Sequence, residues 1–132
     1  MQIETVFTDK APAPGGHYSQ ATVYKGLVFV AGQLPIQPGQ RPGSADRTVG
    51  TIEEQAEQCL TNLREILRAA GSDLNRLLKV TIFISDIGLW SKVNEVYTRM
   101  LGEHRPARAV IPCKELHYGY QIEIEAIAAL NE

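Results

Sequence analysis

Arg108 and Glu123 are charges set inside otherwise apolar, strand-like sequence, RPARAVIPCKELHYGYQIEIEAIAAL from Arg105 to Leu130. Ile122, Ile124, Ala126 and Ala128 occupy one face of a period-two pattern, so Glu123 and Glu125 fall on the other face with Ile127 and Ala129. Pro106 and the β-branched Val110 and Ile111 mark a second extended segment, with Arg108 projecting from its start. Arg offers a planar fork of donors for a carboxylate or phosphate, and Glu can pass protons through a water. On two strands of one sheet, such a pair can share a pocket. The same pattern also suits a structural ion pair or two surface charges.

The elements that must hold these side chains are legible along the chain. Ile3, Thr5 and Phe7 alternate weakly, and Ala11-Pro12-Ala13-Pro14-Gly15-Gly16 then interrupts regular structure before His17, Tyr18, Ser19 and Gln20. Ala21 to Tyr24 and Leu27 to Ala31 read as a hairpin about Lys25-Gly26. Gly32 follows, where a missing side chain permits close approach by a ligand or another backbone. Pro35 to Arg47 is a loop rich in Pro, Gly, Gln and Ser. Thr51-x-x-Glu54 is a capping box, and apolar residues recur from Ile52 to Ala70 at helical spacing, with Gly71 as the stop.

Leu78 to Ile84 reads as a strand, and a second helix is expected from about Ile87 to Leu101, with Asp86 as its cap. Trp90 and Tyr97 on that helix are expected to pack in the core or against the sheet, while Asn94 lies on the shoulder of the apolar stripe, within reach of a cleft. Hairpin, helix, strand, helix and two strands make an α+β domain with two helices on one face of a mixed sheet. Several strands are apolar on both faces, so self-association is expected to cover the second face, and a closed ring would leave clefts between subunits.

The 132 residues fit one domain, 1–132, and 44% hydrophobic with 21% charged residues is the composition of a globular protein. Thirteen basic and fifteen acidic residues give a net charge of −2, so no overall field favours nucleic acid or an anionic membrane. The N-terminus lacks a basic start followed by an apolar run, which suggests the cytoplasm, with Cys59 and Cys113 reduced. His17, His104 and His117 fall in three separate loops, and no HExxH or paired CxxC occurs, so no metal site is expected. Neither a G-x-G-x-x-G nor a phosphate loop is present, and no cofactor is indicated.

APAPGGHYSQA, VFVAGQLPI, QAEQCLTNLREILRAAGS, KVTIFISDI, VNEVY, RPARAVI and IEIEAIA follow one another along nearly the whole chain. With these blocks the chain resembles the RidA/YjgF family of reactive-intermediate or imine deaminases, also called the endoribonuclease L-PSP family. The resemblance implies a chorismate-mutase-like fold, a homotrimer with active sites between subunits, and conversion of enamine and imine intermediates to 2-oxo acids and ammonia. Residue by residue it implies that Arg108 holds the substrate carboxylate and that Glu123 stands near the attacking water. Tyr18, Gly32 and Asn94 match pocket-lining positions. His17, Ala31, Val110 and the segment Glu115 to Tyr120 depart from the family pattern, and His17, His117 and Tyr120 are therefore expected to reshape the pocket. Two other classes stay open: a non-catalytic binder of 2-oxo acids or other small carboxylates, and an interaction protein of the nuclease, translation-inhibitor or chaperone-like kind attributed to some relatives.

Overall fold

Thr51 starts the first helix as its spacing requires: its side chain accepts from the Glu54 amide while the Glu54 carboxylate accepts from the Thr51 amide. Helix α1 then runs over Ile52–Ala70 and ends at Gly71, whose φ of 91° is open to glycine at little cost. The computed structural model describes residues 2–41 and 49–132; the second half of the loop expected at 35–47, residues 42–47, therefore lies outside the described residues. The strands are β1 (Glu4–Val6), β2 (Ala21–Tyr24), β3 (Leu27–Gln33), β4 (Leu77–Ile84), β5 (Ala107–Pro112) and β6 (Ile122–Ala129). Helix α2 covers Trp90–Leu101 and is entered through a short 3-10 turn, Ile87–Leu89, which is the element Asp86 caps.

Among the described residues the strands form one six-stranded sheet in the order β1-β2-β3-β6-β4-β5. The expected hairpin is present, with Ala21 opposite Val30 and Tyr24 opposite Leu27. Strand β6 sits at the centre, antiparallel to both β3 and β4, and β5 lies parallel to β4 at one edge. The whole is a mixed α+β architecture, as the order of elements predicts.

Period two decides which side of the sheet each residue serves. Val28, Val30, Val80, Ile82, Ile84, Ile122, Ile124, Ala126 and Ala128 are buried together with the apolar stripes of both helices. Leu60, Leu63, Ile66 and Leu67 of α1 are wholly buried there, and truncating any one of them to Ala is expected to cost about 2–5 kcal/mol. Cys59 is also buried on this stripe, where desolvation lifts its thiol pKa well above the ordinary value, the Glu123 charge adding to it; it is a core residue rather than a nucleophile. Residues of the opposite parity, Phe29, Phe83, Ile111 and Ile127, lie on the face that neither helix covers, and Phe29 and Ile111 stay 40% and 41% exposed. No helix among the described residues is long and apolar enough to cross a membrane.

Candidate active site

Glu123 lies on the uncovered face of β6, beside the point where β3 carries one extra residue. Val30 pairs with Ala126 and Gln33 with Ile124, so three steps along β3 match two along β6. A bulge of this kind bends its strand and re-aims its neighbours. Gly32 sits in the bulge, and the Glu123 carboxylate lies directly against its backbone: a Cβ built there would stand 2.5 Å from Oε2 and 3.0 Å from Cδ. The group that approaches Gly32 closely is thus a side chain of the same chain, where the sequence pointed to a ligand or another backbone.

The cleft around this carboxylate has a volume of about 430 Å³. Tyr18, Ala31, Gly32, His117, Tyr118 and Glu123 line it, with Leu34 and Ile36 supplying an apolar wall. Gln20 fixes the loop that carries Tyr18: its wholly buried amide accepts from the Thr8 amide at 2.7 Å and donates to the Thr8 and Pro12 carbonyls at 3.0 and 2.9 Å. Half-burial raises the Glu123 pKa above its ordinary value, the His117 charge draws it partly back, and Glu125 pushes it up again. Such a carboxyl is poised to exchange protons nearer neutral pH than a solvated glutamate.

Arg108 is held by α2. Its guanidinium carbon lies 4.5 Å from the Trp90 ring centroid and 4.8 Å from that of Tyr97, and its Nη1 donates to Asn94 Oδ1 at 3.1 Å. The helical spacing of residues 90, 94 and 97 puts all three on one side of α2, facing the start of β5. Burial raises the Tyr97 phenol pKa, and the Arg108 charge opposes that rise. Among the described residues Arg108 enters no salt bridge, so its charge is neutralised by neither Glu123 nor any other carboxylate. A second cleft, of about 400 Å³, runs beside it between Asn94, Tyr97, His104, Arg105 and Pro106.

The two charges do not meet within one chain. Arg108 pairs with Val80, which pairs in turn with Ala126, on the helix-covered side; Glu123 pairs with Phe83 on the other side. The pocket that two strands of one sheet can share is not formed by these residues within one chain: they occupy different strands, opposite faces and separate clefts. Period-two patterning gave each its face on its own strand, but only the register between strands relates the two.

Tyr18 and Gly32 join Glu123 in the first cleft, and Asn94 joins Arg108 at the second. Trp90 and Tyr97, expected to serve packing, also flank the guanidinium, a role hidden in sequence because packing and cation–π contact use the same aromatic residues. His117 lines the first cleft as expected, whereas His17 does not and Tyr120 turns into the interior at 2% exposure. Tyr118, next to His117, takes the place in the cleft wall expected of Tyr120. His104 Nε2 lies 2.8 Å from the Leu77 carbonyl oxygen and so pins the loop before β5. Cys59 and Cys113 are both free thiols.

Fold and clefts together define a small α+β protein with a half-buried carboxyl, its pKa raised by burial, on one side of its sheet and a braced guanidinium on the other. Residues 8–130 match the endoribonuclease L-PSP family. A RutC family protein of Pyrococcus abyssi is 41% identical, over 97% of this chain and 98% of its own. The 2-iminobutanoate/2-iminopropanoate deaminase of Bos taurus is 42% identical, over 93% of this chain and 87% of its own. The structure of Escherichia coli TdcF with bound serine superposes with a TM-score of 0.88 at 30% identity, covering 97% of this chain and 99% of the other. The chain belongs to the endoribonuclease L-PSP family, the RidA/YjgF family.

Proposed function

We propose that the protein is an imine deaminase that hydrolyses 2-imino acids, of the 2-aminoacrylate and 2-aminocrotonate type released by pyridoxal-phosphate enzymes, to 2-oxo acids and ammonia. The observation that carries this reading is the retention of both charges in complementary form: Arg108 preset by Asn94 and two aromatic rings, and Glu123 half-buried with a raised pKa. Relatives at about 42% identity are named for this activity, which supports it further.

The chemistry asks for little more. Arg108 holds the substrate carboxylate as a two-pronged donor. Glu123 binds a water and takes its proton as the oxygen attacks C2, and the carbon–nitrogen bond then breaks to leave the 2-oxo acid and ammonia. An imine is already electrophilic, so fixing the carboxylate beside an oriented water carries much of the rate. Because the two residues lie on opposite faces of the sheet, the proposal takes Arg108 from one copy and Glu123 from the next. A homotrimer with the chorismate-mutase-like arrangement meets that need, with Phe29, Ile111 and Ile127 buried between copies.

The test is complementation. Arg108→Ala and Glu123→Gln are each assayed with imine generated by a serine/threonine dehydratase, then mixed one to one, dissociated and reassembled. With substrate well below KM, each variant alone is expected to keep about a hundredth of wild-type activity or less, and the mixture to recover roughly a quarter, the fraction of interfaces that pair intact residues in a random ring. Failure of the reassembled mixture to recover activity counts against a site shared between copies. Binding of 2-oxobutyrate by wild type with no turnover would instead favour a small-carboxylate binding protein, a reading to which the serine held by TdcF lends weight.

A further inference from the structure

We infer that His117 is a second proton-transfer group in the Glu123 cleft, protonating the imine nitrogen while Glu123 takes the proton of water. This rests on the imine deaminase reading above. His117 and Glu123 come from different elements, a 3-10 turn over His117–Gly119 and strand β6, yet line the same cleft. No lysine or arginine lines that cleft, so His117 is its basic side chain among the described residues. Arg108 cannot substitute, because a guanidinium does not give up its proton.

The turn that carries His117 is not a relaxed one. Tyr118 has φ 60° and ψ 20°, left-handed for a residue with a Cβ, and Gly119 follows at φ 76°. A left-handed non-glycine residue costs roughly 1–2 kcal/mol and is found where the surroundings hold it. Here the reversal turns His117 and Tyr118 into the cleft and Tyr120 inward, with the His117 and Tyr118 ring centroids 5.6 Å apart. The titratable groups that share the cleft with the imidazole are Glu123 of β6, Tyr18 of the loop before β2, and Tyr118 beside it, while the charge of Glu125 reaches the cleft through its effect on Glu123. The His117 charge is felt at Glu123, which agrees with their sharing the cleft.

With two such groups the cycle closes without a cofactor. Imidazolium gives its proton to the imine nitrogen as Glu123 takes one from water and the oxygen bonds to C2, forming a neutral amino alcohol. Protonated Glu123 then gives its proton to the amine. Neutral His117 takes the hydroxyl proton, the C2–N bond breaks and the C=O bond forms. Ammonia leaves, and both side chains return to their starting charge.

The experiment measures 2-oxo acid formation from dehydratase-generated 2-iminopropanoate and 2-iminobutanoate, from about pH 6 to 9, with wild type, His117→Gln, His117→Ala, Glu123→Gln and the control His17→Gln. The expected result is a roughly hundredfold fall in kcat for both His117 variants with loss of one limb of the pH profile, and recovery of His117→Ala, but not Glu123→Gln, on adding imidazole. His17→Gln should behave as wild type. A His117→Gln protein with wild-type kcat and pH profile overturns the assignment and leaves the deaminase reading standing. So does a loss that imidazole does not touch, in variants that melt as wild type does. A wild type no faster than the blank overturns both.

Discussion

The Glu123 carboxylate occupies the space where a side chain at residue 32 would stand, 2.5 Å from the position of an ideal Cβ on Gly32. The contact joins a bulge on β3 to the centre of the sheet, and it makes glycine at 32 a requirement of the site more than of the backbone. Gly32 is not among the residues with positive φ, so Gly32→Ala should fold with a stability change within about 1 kcal/mol. In that variant the Glu123 carboxylate must move by about an ångström, and a displacement of that size is worth on the order of a hundredfold in rate. Thermal melts beside kcat for the imine reaction check this; equal losses in both would argue that Gly32 is structural.

Arg108 should act mainly on substrate binding. Each charge-assisted hydrogen bond contributes about 1.5–3 kcal/mol and the two-pronged contact loses two, so Arg108→Ala should lower kcat/KM by roughly a hundredfold or more. Arg108→Lys keeps the charge but loses the planar fork, and should recover only part of the loss. Initial rates over a range of dehydratase-generated imine separate the two variants, and full recovery by lysine would count against two-pronged recognition.

Trp90 should be a positioning residue for that guanidinium. A cation–π contact at an exposed site contributes about 0.5–1 kcal/mol, so Trp90→Leu should raise KM roughly two- to fivefold with kcat little changed. Trp90→Phe keeps an aromatic face and should restore most of the binding. A Phe variant as impaired as Leu would point to lost packing volume instead.

Glu123 should destabilise the folded protein at neutral pH. In the unfolded chain its carboxyl titrates near the ordinary value of about 4.3. Burial raises it in the fold, so the folded state binds the proton more tightly and stability increases as pH falls through the folded pKa. Glu123→Gln should therefore melt higher than wild type at pH 8, with the advantage shrinking as pH falls towards 4. An advantage that holds constant across that range would show that the carboxyl is not strained by burial.

The sequence by itself determined much of the local structure. The capping box of Thr51 and Glu54, the stop at Gly71, the hairpin about Lys25-Gly26 and the inward parity of Ile122, Ile124, Ala126 and Ala128 each depend on residues a few positions apart, where propensity and period are decisive. Tyr18, Gly32, Asn94, Arg108 and Glu123 are singled out in the sequence by the motif blocks that contain them. Tertiary structure alone decided how these residues relate. Whether Arg108 and Glu123 face one another depends on the pairing of β4 with both β5 and β6, and a shift of one residue in either pairing would reverse the answer. That Trp90 and Tyr97 brace a guanidinium, that Tyr118 rather than Tyr120 enters the cleft, and that a bulge brings Gly32 against Glu123 likewise follow from contacts between segments distant in the chain, which no local pattern encodes.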